Sequence, residues 1–160
     1  MDNLINELTF YAKVDSDKIN YNFIKLNLTE YFNDCIDEIG VDLESRNIEL
    51  KYINELDKET AIVADPEQFK RVINNIINNS MKYMEINNGV VEVHLYNEGD
   101  DVHIDISDNG KGISQKDIGH IFDRFYRSDT SRNSRTGGSG IGLSIVKKII
   151  IDHGGSITAE

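Results

Sequence analysis

Basic residues are scarce in this chain: 17 Lys plus Arg stand against 28 Asp plus Glu, for a net charge of −11. A surface selected to grip nucleic acid or anionic lipid needs a net positive field, so neither is an expected partner. One cysteine, Cys35, leaves no internal disulfide to form. It lies on an apolar helical stripe, where a thiol serves as small core filler in a reducing compartment. No apolar run approaches the roughly 18 residues of a spanning helix, and the N-terminus has neither a basic start nor an apolar signal core. The chain as it stands therefore reads as soluble and cytosolic.

What is present is enough for a core. Of 160 residues, 39% are apolar and 28% charged, a length and balance typical of one globular domain. The charge is unevenly placed. Residues 1–65 carry 6 basic and 15 acidic side chains, whereas residues 66–160 carry 11 and 13. An anionic ligand is therefore to be sought in the second half.

Leu4, Ile5, Leu8, Tyr11 and Ala12 recur at helical spacing and stop at a polar stretch, so residues 1–22 read as a helical tail and linker. Phe32, Cys35, Ile36 and Ile39 mark an amphipathic helix, with Asn27 or Thr29 as N-cap and Gly40 as its end. Two short strands follow, around residues 48–52 and 62–63. A helix then runs from Pro66, at its favoured first-turn position, to about Glu85, with Phe69, Val72, Ile73, Ile76, Ile77 and Met84 on one face. Period-two runs at Val91, Val93, Leu95 and at Val102, Ile104, Ile106 predict an antiparallel hairpin turning at 97–101. A short helix is expected at 114–119. Residues 141–150 form an apolar helix ending at His153-Gly154-Gly155, and a last strand starts at Ser156. The expected class is an α+β two-layer sandwich: a mixed, mostly antiparallel sheet covered on one face by helices.

Four elements bear on chemistry. Asn75, Asn79 and Lys82 fall on one stripe of the third helix, bordering its apolar face; amide oxygens there suit Mg2+, and a Lys one turn on suits phosphate. An Asn-rich chain with a solvated Lys82 would look the same. Asp108-Asn109-Gly110-Lys111-Gly112-Ile113 follows a hairpin strand. Its carboxylate can accept from an exocyclic amine and its glycines let backbone approach a flat ring, although an ordinary Asp-Asn-Gly turn has this composition too. Residues 121–135 hold Arg124, Arg127, Arg132 and Arg135 against Asp123 and Asp129, a local excess of +2 that suits phosphate or a solvated loop. Last, residues 137–144, Gly-Gly-Ser-Gly-Ile-Gly-Leu-Ser, open an apolar helix whose free N–H groups suit phosphate. The spacing is neither that of a P-loop nor that of a Rossmann turn.

In this order, Asn75-x-x-x-Asn79-x-x-Lys82-Tyr83, Asp108-x-Gly110-x-Gly112, Phe122-Asp123-Arg124-Phe125-Tyr126-Arg127 and Gly138-x-Gly140-x-Gly142-Leu143 resemble the N, G1, F and G2 boxes of sensor histidine kinases. These belong to the superfamily that also holds gyrase, Hsp90, MutL and anti-sigma serine kinases. The resemblance spans residues 23 to the end. It implies a Bergerat-type ATP-binding fold that binds Mg-ATP and donates the γ-phosphoryl group to a histidine. Carried over, Asn79 is the Mg2+ ligand, with Asn75 near metal and phosphates, Lys82 a phosphate contact and Tyr83 a wall of the site. Asp108 reads the adenine amine beside Gly110, Gly112 and Ile113. Phe122 and Phe125 anchor a lid, Arg127 reaches the γ-phosphate, Arg124 and Arg132 assist, and Gly138, Gly140, Gly142 and Leu143 close over the phosphates.

Asn75 discriminates within the superfamily. In the hydrolytic ATPases that position is a Glu that activates water; an amide cannot act as a general base, which favours transfer over hydrolysis. The family's phosphoacceptor motif is absent, because His94, His103, His120 and His153 all lie in the ATP-binding region without its context. The resemblance thus implies a catalytic domain, monomeric on its own, whose partners are a histidine-bearing dimerisation domain of the same kinase and a downstream response regulator. The tail of residues 1–14 resembles the end of that dimerisation hairpin, and residues 23–160 are the catalytic domain, stopping before the strand with which the family ends. The parent is expected to be a membrane-anchored bacterial receptor with this domain in the cytoplasm. An anti-sigma-type serine kinase and a nucleotide-binding regulatory module are the alternatives.

Overall fold

The computed structural model describes residues 5, 8–10, 12–13, 19–84, 87–127 and 139–160. These belong to two compact units: a first of Phe23–Pro66 and Ile76–Gly112, and a second of Met1–Asn22, Glu67–Asn75 and Ile113–Glu160.

The first unit holds the strands. β1 (Ile24–Asn27) pairs antiparallel with β3 (Ala61–Ala64), and β2 (Ile48–Asn54), β4 (Gly89–Glu98) and β5 (Asp101–Asp108) form a second sheet in the order β2-β4-β5. β4 runs parallel to β2 and antiparallel to β5, so the sheet is mixed, as expected. Its alternation is strict along β4, where Val91, Val93 and Leu95 are fully buried and the residues between them are not. The hairpin is tighter than the sequence implies: Glu98 faces Asp101 across a two-residue turn in which Gly99 takes φ 62°. β1 was not anticipated, because four residues with Ile24 and Lys25 exposed carry no readable period.

α1 (Leu28–Glu44) packs on β2. Asn27 is its N-cap, accepting from the Glu30 N–H at 3.0 Å, as its position before the apolar stripe predicts. The helix does not stop at Gly40. Leu28, Phe32, Cys35, Ile39 and Leu43 are all buried, so the stripe continues one turn further, and the chain leaves through Asn47 at φ 56°. Gly40 instead sits where a Cβ would meet Leu50 Cδ2 at 3.7 Å. Tyr31 donates to the Pro66 carbonyl at 2.7 Å, and burial raises its phenol's pKa.

α2 (Pro66–Tyr83) is the long helix from Pro66, and its residues belong to both units. In the second unit its Phe69, Val72 and Ile73 are buried, as are Ile141, Ile145, Val146 and Ile149 in and before α4 (Gly142–Asp152). α3 (Gln115–Ile118) is the short helix expected there. Residues 5, 8–10 and 12–13 are helical, and the Arg71 guanidinium lies 3.6 Å above the Phe10 ring. Tyr21 donates to Asp152 Oδ2 at 2.8 Å and meets His153 edge-on. The expected strand from Ser156 does not form: residues 155–160 take part in no ladder.

Candidate functional site

α2 arranges its polar residues by helical period. Asn75, Asn79, Lys82 and Tyr83 are half-buried, while Asn74 and Asn78 are exposed. The first set therefore borders the apolar face, which is where a side chain can reach a ligand while its stem stays packed.

In the first unit the turn after β5 is built by its own polar side chains. Asp108 Oδ1 accepts from the Gly110 N–H at 2.9 Å, an Asx-type turn that points one carboxylate oxygen inward and leaves the other available. Asn109 accepts from the Val90 N–H at 2.7 Å and donates to the Asn88 carbonyl at 2.9 Å, fastening the turn to the start of β4. Gly110 is required sterically. A Cβ there would stand 2.8 Å from Asp108 Oδ1 and 2.9 Å from the Tyr83 carbonyl, and the latter accepts from Lys111 N–H. The Tyr83 ring carries two cations, with Lys111 Nζ 4.5 Å and Lys82 Nζ 5.1 Å from its centroid. Asn79, Lys82, Tyr83, Asp108, Gly110 and Gly112 thus all belong to the first unit, the last at φ 71°.

In the second unit Asn75, Ile113, Phe122, Phe125, Arg127, Gly140, Gly142 and Leu143 are brought into one compact body. Gly142 is the first residue of α4, and a Cβ there would lie 3.5 Å from Asn75 Oδ1. An amide oxygen therefore faces the end of a helix whose open N–H groups favour anions. Upstream, Phe125 adopts φ 60°, rare for an aromatic residue, and donates its N–H to the Gly140 carbonyl at 3.1 Å. Gly140, at φ 70°, is the other half of the clasp: a Cβ would stand 3.0 Å from the Tyr126 carbonyl and 3.2 Å from Arg127 Cγ. The Phe125 ring is 61% exposed, so it is the Phe125 backbone that is fixed here. Phe122 is half-buried with Lys147 Nζ 6.0 Å from its centroid, and Arg124 is exposed. Arg132 and Gly138 lie outside the described residues.

Asp117 was missed from sequence. It is only 7% exposed, and both of its oxygens accept: from Ser114 Oγ at 2.6 Å and from the Tyr126 hydroxyl at 2.5 Å. The Ser114 bond, and after it the Tyr126 bond, hold its carboxyl below the ordinary value of 3.8. The spacing Ser114-x-x-Asp117 at a helix start was the signal available.

Among the described residues no group of three or more His, Cys, Asp or Glu side chains can hold a metal, and no helix is long and apolar enough to cross a membrane. A donor set of amide oxygens and a Lys fits Mg2+ only when the ion arrives with phosphate oxygens of its own.

Known proteins resemble this chain in sequence and in fold. The model of the histidine kinase-, DNA gyrase B- and HSP90-like ATPases matches residues 64–160. The sensor histidine kinase WalK of Bacillus subtilis is 32% identical over 159 residues, 98% of this chain and 26% of that protein. The sensor protein VanS of Enterococcus faecium is 40% identical over 103 residues, 64% of this chain. The chain spans about a quarter of the length of both relatives. The catalytic domain of histidine kinase ThkA superposes with a TM-score of 0.73 at 24% identity, covering 87% of this chain and 88% of that one. Full-length ShkA, solved in complex with AMPPNP, gives 0.80 at 20% identity over 98% of this chain and 32% of its own. With more than half of the chain matched, the chain belongs to the histidine kinase-, DNA gyrase B- and HSP90-like ATPase family, and its relatives there are sensor histidine kinases.

Proposed function

We propose that the chain binds Mg-ATP and donates the γ-phosphoryl group to a histidine on a dimerisation domain of the same kinase, within a membrane-anchored receptor that passes the phosphoryl group to a response regulator. Asp108 accepts from the adenine amine with the oxygen that Gly110 leaves available, while Gly110, Gly112, Ile113 and Tyr83 line the ring. Lys82 and Arg127 contact phosphate oxygens, Asn79 ligates Mg2+, and the α4 N–H groups from Gly142 and Leu143 receive further phosphate charge. When bound, Mg2+ neutralises charge on the polyphosphate. Phosphoryl transfer asks the protein for positioning and charge neutralisation, which these neutral and cationic groups supply.

The observation that carries transfer rather than hydrolysis is Asn75. It is half-buried with its amide oxygen toward the start of α4, at the position where a water-activating carboxylate would stand. An amide has no basic lone pair to take a proton from water.

Incubation of the chain with γ-labelled Mg-ATP and a histidine-bearing dimerisation domain tests the proposal. Acid-labile label on that domain is the expected result. Acid-stable label would assign a serine kinase, and nucleotide binding without label on either partner would assign a regulatory module.

A further inference from the structure

We infer that Asp117 is a positioning residue for the segment 125–127 and so sets the preference of the site for ATP over ADP; this rests on the reading above, in which Arg127 contacts the γ-phosphate. An aspartate is almost never this buried unless paired. Here the pairing is complete: Ser114 holds one oxygen, and the other holds the hydroxyl of Tyr126, nine residues on. Short O–H···O bonds to an ionised carboxylate are among the strong ones.

Tyr126 is thereby fixed at two ends. Its side chain is tied to Asp117, and its N–H donates to the Asp123 carbonyl at 3.3 Å. The residue before it is held at φ 60° with its N–H on the Gly140 carbonyl, and the residue after it, Arg127, has its Cγ against the same glycine. His120 adds a lesser restraint, its ring 5.4 Å from that of Tyr126 and its Nδ1 2.8 Å from Asp123 Oδ2. Without the carboxylate the Tyr126 side chain loses its tether, and the left-handed Phe125, which costs energy to maintain, keeps its N–H on the Gly140 carbonyl but loses its anchored neighbour. Arg127 then samples more directions. ADP has no γ-phosphate, so its binding is spared.

Asp117→Ala, Tyr126→Phe and the double variant are compared with wild type by titration with Mg-ATP and with Mg-ADP, and by hydrogen exchange at the Phe125 amide. Each single variant should lose about tenfold in the ATP-over-ADP ratio, the scale of one hydrogen bond to a charged group. The double variant should lose little more than either single one, since both remove the same bond. Phe125 exchange should accelerate in all three. Equal losses for ATP and ADP, or an unchanged ratio, would overturn the inference in a wild type that binds nucleotide. If wild type bound neither nucleotide, the functional reading would fail instead. Phe125 exchange would still decide the positioning claim, with faster exchange in Tyr126→Phe supporting it and wild-type exchange overturning it.

Discussion

The turn after β5 and the clasp around Gly140 each bring backbone close to a glycine, but they are held by different means. In the first unit Asp108 bonds two residues ahead, and Asn109 is fastened to residues 88 and 90 at the start of β4, the strand that pairs with β5. In the second unit no ladder joins the segments among the described residues: Phe125 bonds to Gly140, and Asp117 reaches Tyr126. A turn fastened to a paired strand persists whenever its hairpin is folded. A clasp whose segments share no ladder opens more readily, because its individual contacts have to offset the entropy of ordering it. The first arrangement suits a rigid reader of a flat ring and the second a segment that orders on phosphate.

The largest effect is expected from Asn79→Ala, which should lower Mg-dependent ATP affinity by at least about 100-fold through loss of a ligand to a charged group, measured by calorimetric titration. Wild-type affinity in that variant would remove Asn79 from the metal. Next comes the clasp itself. Gly140→Ala places a side chain in the left-handed region and against the Tyr126 carbonyl, which should cost about 1–2 kcal/mol and open the 125–127 segment to hydrogen exchange while amides of β4 and β5 stay protected. Matching increases in both regions would mean that the two are not separately held.

Asp108→Asn keeps an oxygen for Gly110 but presents an amide to the base. Adenine nucleotides should weaken about tenfold with the hairpin's stability unchanged, as thermal unfolding would report. Acid should distinguish the regions in a milder way. The Asp117 carboxyl is held below 3.8 by Ser114 and Tyr126, with Lys116 and His120 adding to the same direction, so its contribution is complete above about pH 4. It is lost as pH falls through the lowered value, where the unfolded chain binds the extra proton. The Tyr126 ring resonances should therefore shift in acid in wild type and stay constant in Asp117→Asn. The smallest effect belongs to Tyr21→Phe, which removes one hydrogen bond to Asp152 and should cost about 1 kcal/mol of stability, read by denaturant unfolding.

What the sequence revealed and concealed follows the same division. Hydrophobic period located α1, α2, α4 and the β4–β5 hairpin, because each buries a regular face, as Val91, Val93 and Leu95 do. Motif spacing located the Asp108 turn, in which the Asp108–Gly110 bond spans two residues. It placed the polar stripe of α2 correctly at the border of the apolar face. It did not reveal β1, which depends on β3 for its definition, nor the extra turn of α1, which depends on the burial of Leu43. Asp117 and the left-handed Phe125 stayed hidden for a related reason. Their partners, Tyr126 and Gly140, lie nine and fifteen residues away, and no local period encodes them.

The most direct measurement is a calorimetric titration of the chain with ATP, with and without Mg2+. Saturable binding of ATP that weakens sharply on chelation of Mg2+, with GTP bound far more weakly, is the expected result. Absence of ATP binding in the presence of Mg2+, or equal binding of GTP, would contradict an adenine site built on Asp108 and a metal site built on Asn79.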